Sequence, residues 1–176
     1  MAMHLIIDGY NLMACYTGAG QSGLQSEMAR ESLLRDLLSY RQRKGHATTV
    51  VFDGWQQGQA IEGREHRSGV QVIYSKRGER ADQVIQRLAR EYGSDCAVVS
   101  SDHEIIATAR AHGAFVMRAQ EFAAKLTGAS GIGGGQMHKE LDTGEDLVPK
   151  RGSEKKGNPR KLPKAQRQRD RQLRRF

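Results

Sequence analysis

The chain has 176 residues, 28 Lys+Arg against 20 Asp+Glu and a net charge of +8, so length allows one domain with a sizeable core. No apolar run approaches the roughly 20 residues of a membrane-spanning helix, and no secretory signal precedes His4. Cys15 and Cys96 form no C-x-x-C pair, which excludes a disulfide scaffold and predicts a reduced, cytoplasmic protein. The histidines are scattered without zinc-site spacing and receive no catalytic role.

The first predicted strand is H-L-I-I-D (4–8), and it leads into D-G-Y-N (8–11). There Asp8 supplies a carboxylate, Gly9 permits a tight exit, and Asn11 offers an amide to orient a metal-bound water or a phosphate oxygen. Residues 12–25 read as a mobile loop at the edge of the site. Gly18, Gly20 and Gly23 spell G-x-G-x-x-G within it, but Gly18 stands ten residues after Asp8 instead of at the strand exit. No acid ends the second strand at the distance needed to bind a ribose, so no nucleotide cofactor is expected. Residues 26–44 place Leu33, Leu34, Leu37 and Leu38 on one helical face, with Gly45 as the stop signal.

The second strand, T-T-V-V-F-D (48–53), repeats the acid-then-glycine arrangement at Asp53 and Gly54. Trp55 follows, placed either to stack a base at a crevice mouth or to cap the edge of the core. V-Q-V-I-Y (70–74) is the third strand, and Ala81, Val84, Ile85, Leu88, Ala89 and Tyr92 repeat at helical spacing before Gly93. Asp82 lies in the first turn of that helix, off the apolar stripe, where an acid also complements the helix dipole, as Glu79 does. C-A-V-V-S (96–100) is the fourth strand. Asp102 follows it, and Ser101 and Glu104 make an S-x-x-E capping box that would explain an acid there without catalysis. Ile105, Ile106 and Ala109 give a helix ending near Gly113, A-F-V-M (114–117) a strand, and Phe122, Ala123 and Leu126 a last helix ending at Gly128.

Near-continuous apolar strands are covered on both faces, so the sheet should be parallel. Their alternation with helices predicts one doubly wound α/β domain over residues 1–128 with right-handed crossovers. Such a sheet gathers its site outside the carboxyl ends of the strands, where Asp8, Asp53, Asp82 and Asp102 would meet. Their mutual repulsion should raise their pKa values unless a cation sits among them.

Beyond this domain the composition changes. Residues 129–149 read as a flexible linker, opening on G-A-S-G-I-G-G-G (128–135), and residues 150–176 as a disordered basic tail. That tail holds 12 basic and 2 acidic residues, leaving 16 basic and 18 acidic in residues 1–149. Arg160, Lys161, Lys164, Arg167, Arg169, Arg171, Arg174 and Arg175 form an arm suited to a polyanion such as RNA, DNA or the ribosome, or else solubilise the chain. A membrane is not expected, because no apolar face accompanies the charge. Within the body, Arg64, Arg67, Lys76, Arg77 and Arg80 lead to Asp82 and are candidates for contacting RNA phosphates beside a cut.

The motifs D-G-Y-N (8–11), M-A-R-E-S-L-L (28–34), V-V-F-D-G (50–54), E-R-A-D-Q-V-I (79–85) and V-V-S-S-D (98–102) together resemble the YacP-type NYN domain. That is a bacterial branch of the PIN-like nuclease superfamily, and the resemblance covers about residues 3–127 and stops at the linker. It implies a PIN-like three-layer α/β fold around a central parallel sheet. The implied activity is a metal-dependent endoribonuclease acting on messenger RNA at the ribosome, as a characterised member of the group does. Asp8, Asp82 and Asp102 match the acidic metal-binding positions, and Asp53 matches the F-D-G acid that flap nucleases also carry. Asn11 matches the family's asparagine. Glu31 falls where many PIN-like domains bring an acid from the first helix, though a solvent-facing glutamate fits there equally. The basic tail has no counterpart in that pattern.

Carboxylates without Cys or clustered His suit Mg²⁺ or Mn²⁺. One ion would lower the pKa of an attacking water while a second, about 4 Å away, stabilises the leaving 3′ oxygen, giving a 5′ phosphate and a 3′ hydroxyl. Two other functions compete. A non-catalytic RNA- or ribosome-binding protein would be favoured by an acid turned into the core or paired with arginine. A metal-dependent phosphatase would be favoured by phosphomonoester turnover without RNA cleavage.

Overall fold

A computed structural model describes residues 3–17, 23–54, 60–128 and 164–176 of the chain. The chain divides into two compact units, Met1–Gly131 and Ile132–Phe176.

In the first unit the strands are β1 (His4–Asp8), β2 (Ala47–Phe52), β3 (Gly63–Arg67), β4 (Val70–Tyr74), β5 (Cys96–Val99) and β6 (Phe115–Met117). Its helices are α1 (Gly9–Thr17), α2 (Gly23–Lys44), α3 (Ala81–Tyr92), α4 (His103–Ala111) and α5 (Ala119–Gly128). The sheet order is β3-β4-β2-β1-β5-β6, parallel throughout except where β3 runs antiparallel to β4. From β1 the chain builds outward to β2 and β4 on one side, then returns and builds β5 and β6 on the other. The order therefore reverses between β1 and β5, the position at which open α/β sheets form a crevice.

Period-two alternation divides the strand residues between two apolar layers. Ile6, Val51, Ile73, Cys96, Val98 and Val116 pack with Val84, Ile85, Leu88 and Ala89 of α3 and Ile105 and Ala109 of α4. The alternate residues, including Leu5, Ile7, Val50, Phe52, Val72, Tyr74 and Val99, are also buried, on the face covered by α1, α2 and α5. Tyr40 of α2 meets Phe122 of α5 edge-on, with ring centroids 5.1 Å apart. The result is three layers, helices on both sides of one sheet.

The predicted strands and the helix over 81–92 fall where the apolar spacing places them. Gly45 ends α2 at φ +71°, its amide bonded to the Arg41 carbonyl at 2.7 Å, as a left-handed C-terminal cap requires. Of the predicted loop 12–25, residues 12–17 and 23–25 are helical, because burial of Leu12 and Met13 on the sheet rewards a helix and α2 starts three residues earlier than its leucine pattern; residues 18–22 lie outside the described residues. Strand β3 escaped notice because G-R-E-H-R has no apolar face. It is an exposed edge strand, and its charges blunt that edge against further pairing.

In the second unit, Lys164–Leu173 form a helix, α6, so this described part of the predicted disordered tail has regular structure. Its Lys, Arg and Gln residues are straight-chain helix formers, and Phe176 just beyond it is buried. Residues 129–163, with Arg160 and Lys161, lie outside the described residues, as does Trp55.

Candidate active site

Alternation carries Asp8, Asp53, Ser75 and Ser100 to the α3/α4 face at the carboxyl end of the sheet. Asp8 closes β1 at the switch point. Its Oδ1 accepts the Asn11 amide at 3.1 Å and its Oδ2 accepts the Ser100 hydroxyl at 3.1 Å. The same Ser100 oxygen accepts the Asp102 amide at 3.1 Å. A parallel device stands one strand pair away, where Ser75 donates to Asp53 Oδ1 at 3.5 Å and accepts the Gly54 amide at 3.1 Å. Both serines are fully buried, so each aspartate is held by a hydroxyl from the neighbouring strand.

The other acids carry out helix-end work as well. The residue before α3 is Arg80, whose side chain cannot cap, and Asp53 Oδ1 instead accepts the Ala81 amide at 2.6 Å. Asp102 is itself the N-cap of α4, accepting from Glu104 at 2.7 Å and Ile105 at 3.3 Å. The predicted capping residue, Ser101, instead gives its amide to Asn11 Oδ1 at 3.3 Å, which ties the β1–α1 turn to the β5–α4 turn across the switch point. Asp82 pairs with Arg80 at 2.5 Å.

The four acids share one electrostatic environment. Burial pushes Asp8 up to about 6, the Asn11 and Ser100 hydrogen bonds pull it down, and the charges of Asp82 and Asp53 add smaller upward pushes. Burial also raises Asp82, the Arg80 cation opposes the rise, and Asp102, Asp53 and Glu104 reinforce it. Repulsion was expected from the sequence to lead, but desolvation is the larger cause at both positions. Among the described residues no group of three or more His, Cys, Asp or Glu is arranged to hold one metal ion.

The glycines after the acids have steric reasons. A Cβ on Gly9 would stand 2.3 Å from the Phe52 ring, and one on Gly54 would stand 2.1 Å from the Ser75 carbonyl oxygen. Gly54→Ala is therefore expected to cost about 1 to 3 kcal/mol in urea unfolding and to displace Asp53, because backbone cannot yield as a side-chain end can. An unchanged unfolding midpoint would mean that the β2 exit is more compliant than this geometry requires.

The remaining predicted residues separate clearly. Glu31 accepts Arg67 at 2.5 Å and so is held toward β3 by an ion pair. Arg67 also bonds Glu65 at 3.2 Å, Arg64 bonds Glu62 at 2.7 Å, and Arg80 is committed to Asp82. Lys76 and Arg77 are exposed on the loop between Ser75 and α3, with no ion pair among the described residues. In α6 and just beyond it, Arg167, Arg171, Arg174 and Arg175 are exposed and Arg169 is half-buried, while the side chain of Lys164 is outside the described set. Sequence reading missed Ser75 and Ser100, although each is the first residue past an apolar strand and on the same face as the acid it holds.

The sequence profile of the YacP-like NYN domain matches residues 5–172. It runs through the linker into α6, further than the motif resemblance, which ended at residue 127. A curated relative, the uncharacterized protein YacP of Bacillus subtilis (strain 168), is 31% identical over 87 residues, covering 49% of this chain. The matched stretch spans 51% of that relative, about half its length. Among solved structures, Rae1 (YacP) from Bacillus subtilis superposes with a TM-score of 0.61 at 25% identity, covering 74% of this chain and 76% of that one. A crystal structure of a mutant of that protein gives the same TM-score and identity, covering 77% of the mutant chain.

Proposed function

The chain belongs to the YacP-like NYN domain family, one of PIN-like nucleases, and on that premise we propose that it is a metal-dependent endoribonuclease. The observation that carries this reading is Asp8, a buried carboxylate at the switch point of the sheet, within the fields of Asp53 and Asp82.

The donor set fits a hard divalent cation. Mg²⁺ is held through one or two carboxylates with retained waters and substrate phosphates, so a three-residue cage is not required. Asp8, Asp53, Asp82 and Asp102 would hold Mg²⁺ or Mn²⁺, with the second oxygens of Asp53 and Asp102 free of the capping bonds that occupy the first. When bound, such ions supply an activated water and neutralise charge at the scissile phosphate. The protein's part is placement. Ser100 and the Asn11 amide fix both oxygens of Asp8, while Asn11 holds the two turns beside it together. Lys76 and Arg77, exposed next to Ser75 and without an ion pair among the described residues, are suited to phosphates flanking the cut.

At limiting metal, cleavage should rise with pH through about 6, because a proton on Asp8 competes with the cation there, and excess metal should move the rise to lower pH. A pH profile that does not respond to metal concentration would remove Asp8 from the mechanism.

One observation favours a second reading. Asp82 is paired with Arg80, as expected of a non-catalytic RNA- or ribosome-binding protein. The Arg80 side chain is 76% exposed, however, and such surface pairs contribute about 0 to 1 kcal/mol, little enough for a ligand to break. The deciding experiment incubates end-labelled linear RNA and circular RNA with the full chain in Mg²⁺, Mn²⁺ or chelator. A cut circle and a downstream fragment that ligates directly through its 5′ phosphate support the proposal; cyclic-phosphate ends reject it. Binding without cleavage supports the second reading, and phosphomonoester turnover without RNA cleavage supports a phosphatase. The basic segment supports RNA, free or on the ribosome, as the partner, which co-sedimentation with ribosomes at rising salt would separate.

A further inference from the structure

Arg30 of α2 has an environment unlike that of the other arginines in the body. Its guanidinium carbon lies 5.8 Å from the Tyr74 ring centroid and 6.0 Å from that of Phe52. Those two rings stack on each other at 5.9 Å, and they are register partners, each the last residue of its strand. Asp53 and Ser75 are the next residues along. Tyr10, two residues past Asp8, meets Phe52 edge-on at 5.5 Å. The cation is thus fixed against the strand ends that carry the acids, on the opposite side of the sheet from α3.

Its charge is poorly matched. The side chain is only 19% exposed, yet among the described residues its one ion-pair partner is Glu27 at 3.8 Å, itself 66% exposed. That is well beyond the roughly 2.7 to 2.9 Å of a charge-assisted hydrogen bond. Arg64, Arg67 and Arg87 each have a carboxylate at 2.7 Å or closer. Burial raises the Tyr10 phenol, the Arg30 cation pulls it back, and the Asp53 carboxylate adds a smaller upward push, so Tyr10 lies within the fields of both charges. A guanidinium set over two aromatic rings, with no carboxylate at hydrogen-bond distance among the described residues, is suited to a bidentate anion.

We propose that Arg30, seated on the Phe52–Tyr74 ledge and bordered by Tyr10, is a phosphate-binding subsite that holds the RNA strand beside the acidic crevice. The proposal rests on the nuclease reading, since it takes the same substrate. Arg30 acts by positioning the strand and not on the reacting atoms.

The test measures affinity of the full chain for a fluorescent single-stranded RNA in chelator across a salt series, with melting temperatures as the control for folding. Arg30→Met is expected to weaken binding about tenfold and to flatten the slope of log affinity against log salt by about 0.7, the contribution of one phosphate. Arg30→Lys, which keeps charge and stem but loses the fork, should fall between the two and serves if Arg30→Met does not fold. Glu27→Gln should tighten binding in the parent and have no effect in the Arg30 variant, a coupling that a merely structural arginine would not show. Unchanged affinity and slope in the Arg30 variant, or equal tightening by Glu27→Gln in both backgrounds, overturns the subsite and leaves the nuclease reading standing. A parent chain that binds no RNA at any salt overturns both.

Discussion

Asp8→Asn is expected to reduce RNA cleavage by roughly 100- to 1,000-fold or more while making the metal-free protein more stable at pH 7.5. The two effects have one cause. Burial moves the Asp8 carboxyl from 3.8 to about 6, so the folded state binds its proton more tightly than the unfolded state. The stability contributed by protonation is fully present below the unfolded value and is lost as pH rises through about 6. At pH 7.5 the ionised carboxylate therefore costs on the order of 3 kcal/mol, of which the neutral amide recovers a part, since it keeps the shape but its NH2 cannot accept the Ser100 hydroxyl. The variant should melt above the parent in chelator at pH 7.5, and the gap should close below pH 4. Adding Mn²⁺ should raise the parent more than the variant, because a ligand stabilises only the state that binds it. A variant that melts below the parent in chelator would mean that Asp8 is retained as a structural acceptor for Asn11 and Ser100.

Removing residues 129–176 should leave saturated turnover nearly unchanged and collapse the salt dependence of RNA binding. Every strand and helix from β1 to α5 precedes that boundary, so the first unit keeps its sheet. Residues 150–176 carry 12 basic and 2 acidic residues, and each phosphate neutralised on single-stranded RNA contributes about −0.7 to the slope. Even partial engagement of the segment, through α6 and its exposed Arg167, Arg171, Arg174 and Arg175, is worth several units of slope. Its effect would be to raise the local concentration of substrate. Loss of saturated turnover with affinity and slope intact would place the segment in the catalytic surface instead.

Much of the fold was legible because a buried parallel strand leaves an unmistakable trace. I-I-D, V-V-F-D and A-V-V-S show both where strands run and where they stop, and the stopping points mark the site. What was hidden had no such trace. Strand β3 is charged because it is an edge, and α1 starts inside the D-G-Y-N exit of β1 and runs toward Gly18, Gly20 and Gly23, so its Leu12 and Met13 could be mistaken for part of a loop. The acids were found by position, but their obligations were not. Nothing in E-R-A-D foretells that Asp53, 28 residues upstream, caps α3 in place of Arg80. Ser75, Ser100 and Arg30 depend on partners from other elements, and pattern along one segment carries no information about those.

The serines also determine how the crevice comes apart. Beside their bonds to the helix residues Asn11 and Ala81, Asp8 is anchored through Ser100 to the end of β5 and Asp53 through Ser75 to the end of β4, and neither serine belongs to a helix. Fraying of α3 or α4 removes capping bonds, the Ala81 bond of Asp53 among them, and frees Asp82, but leaves the serine anchors of Asp8 and Asp53 at the ends of paired strands, which are expected to open less readily than helix ends. The acids thus divide into a pair as durable as the core and a pair as labile as a helix terminus. Asp82 and Asp102, on the labile side, are the ones free to adjust when a charged substrate arrives, against a frame that does not.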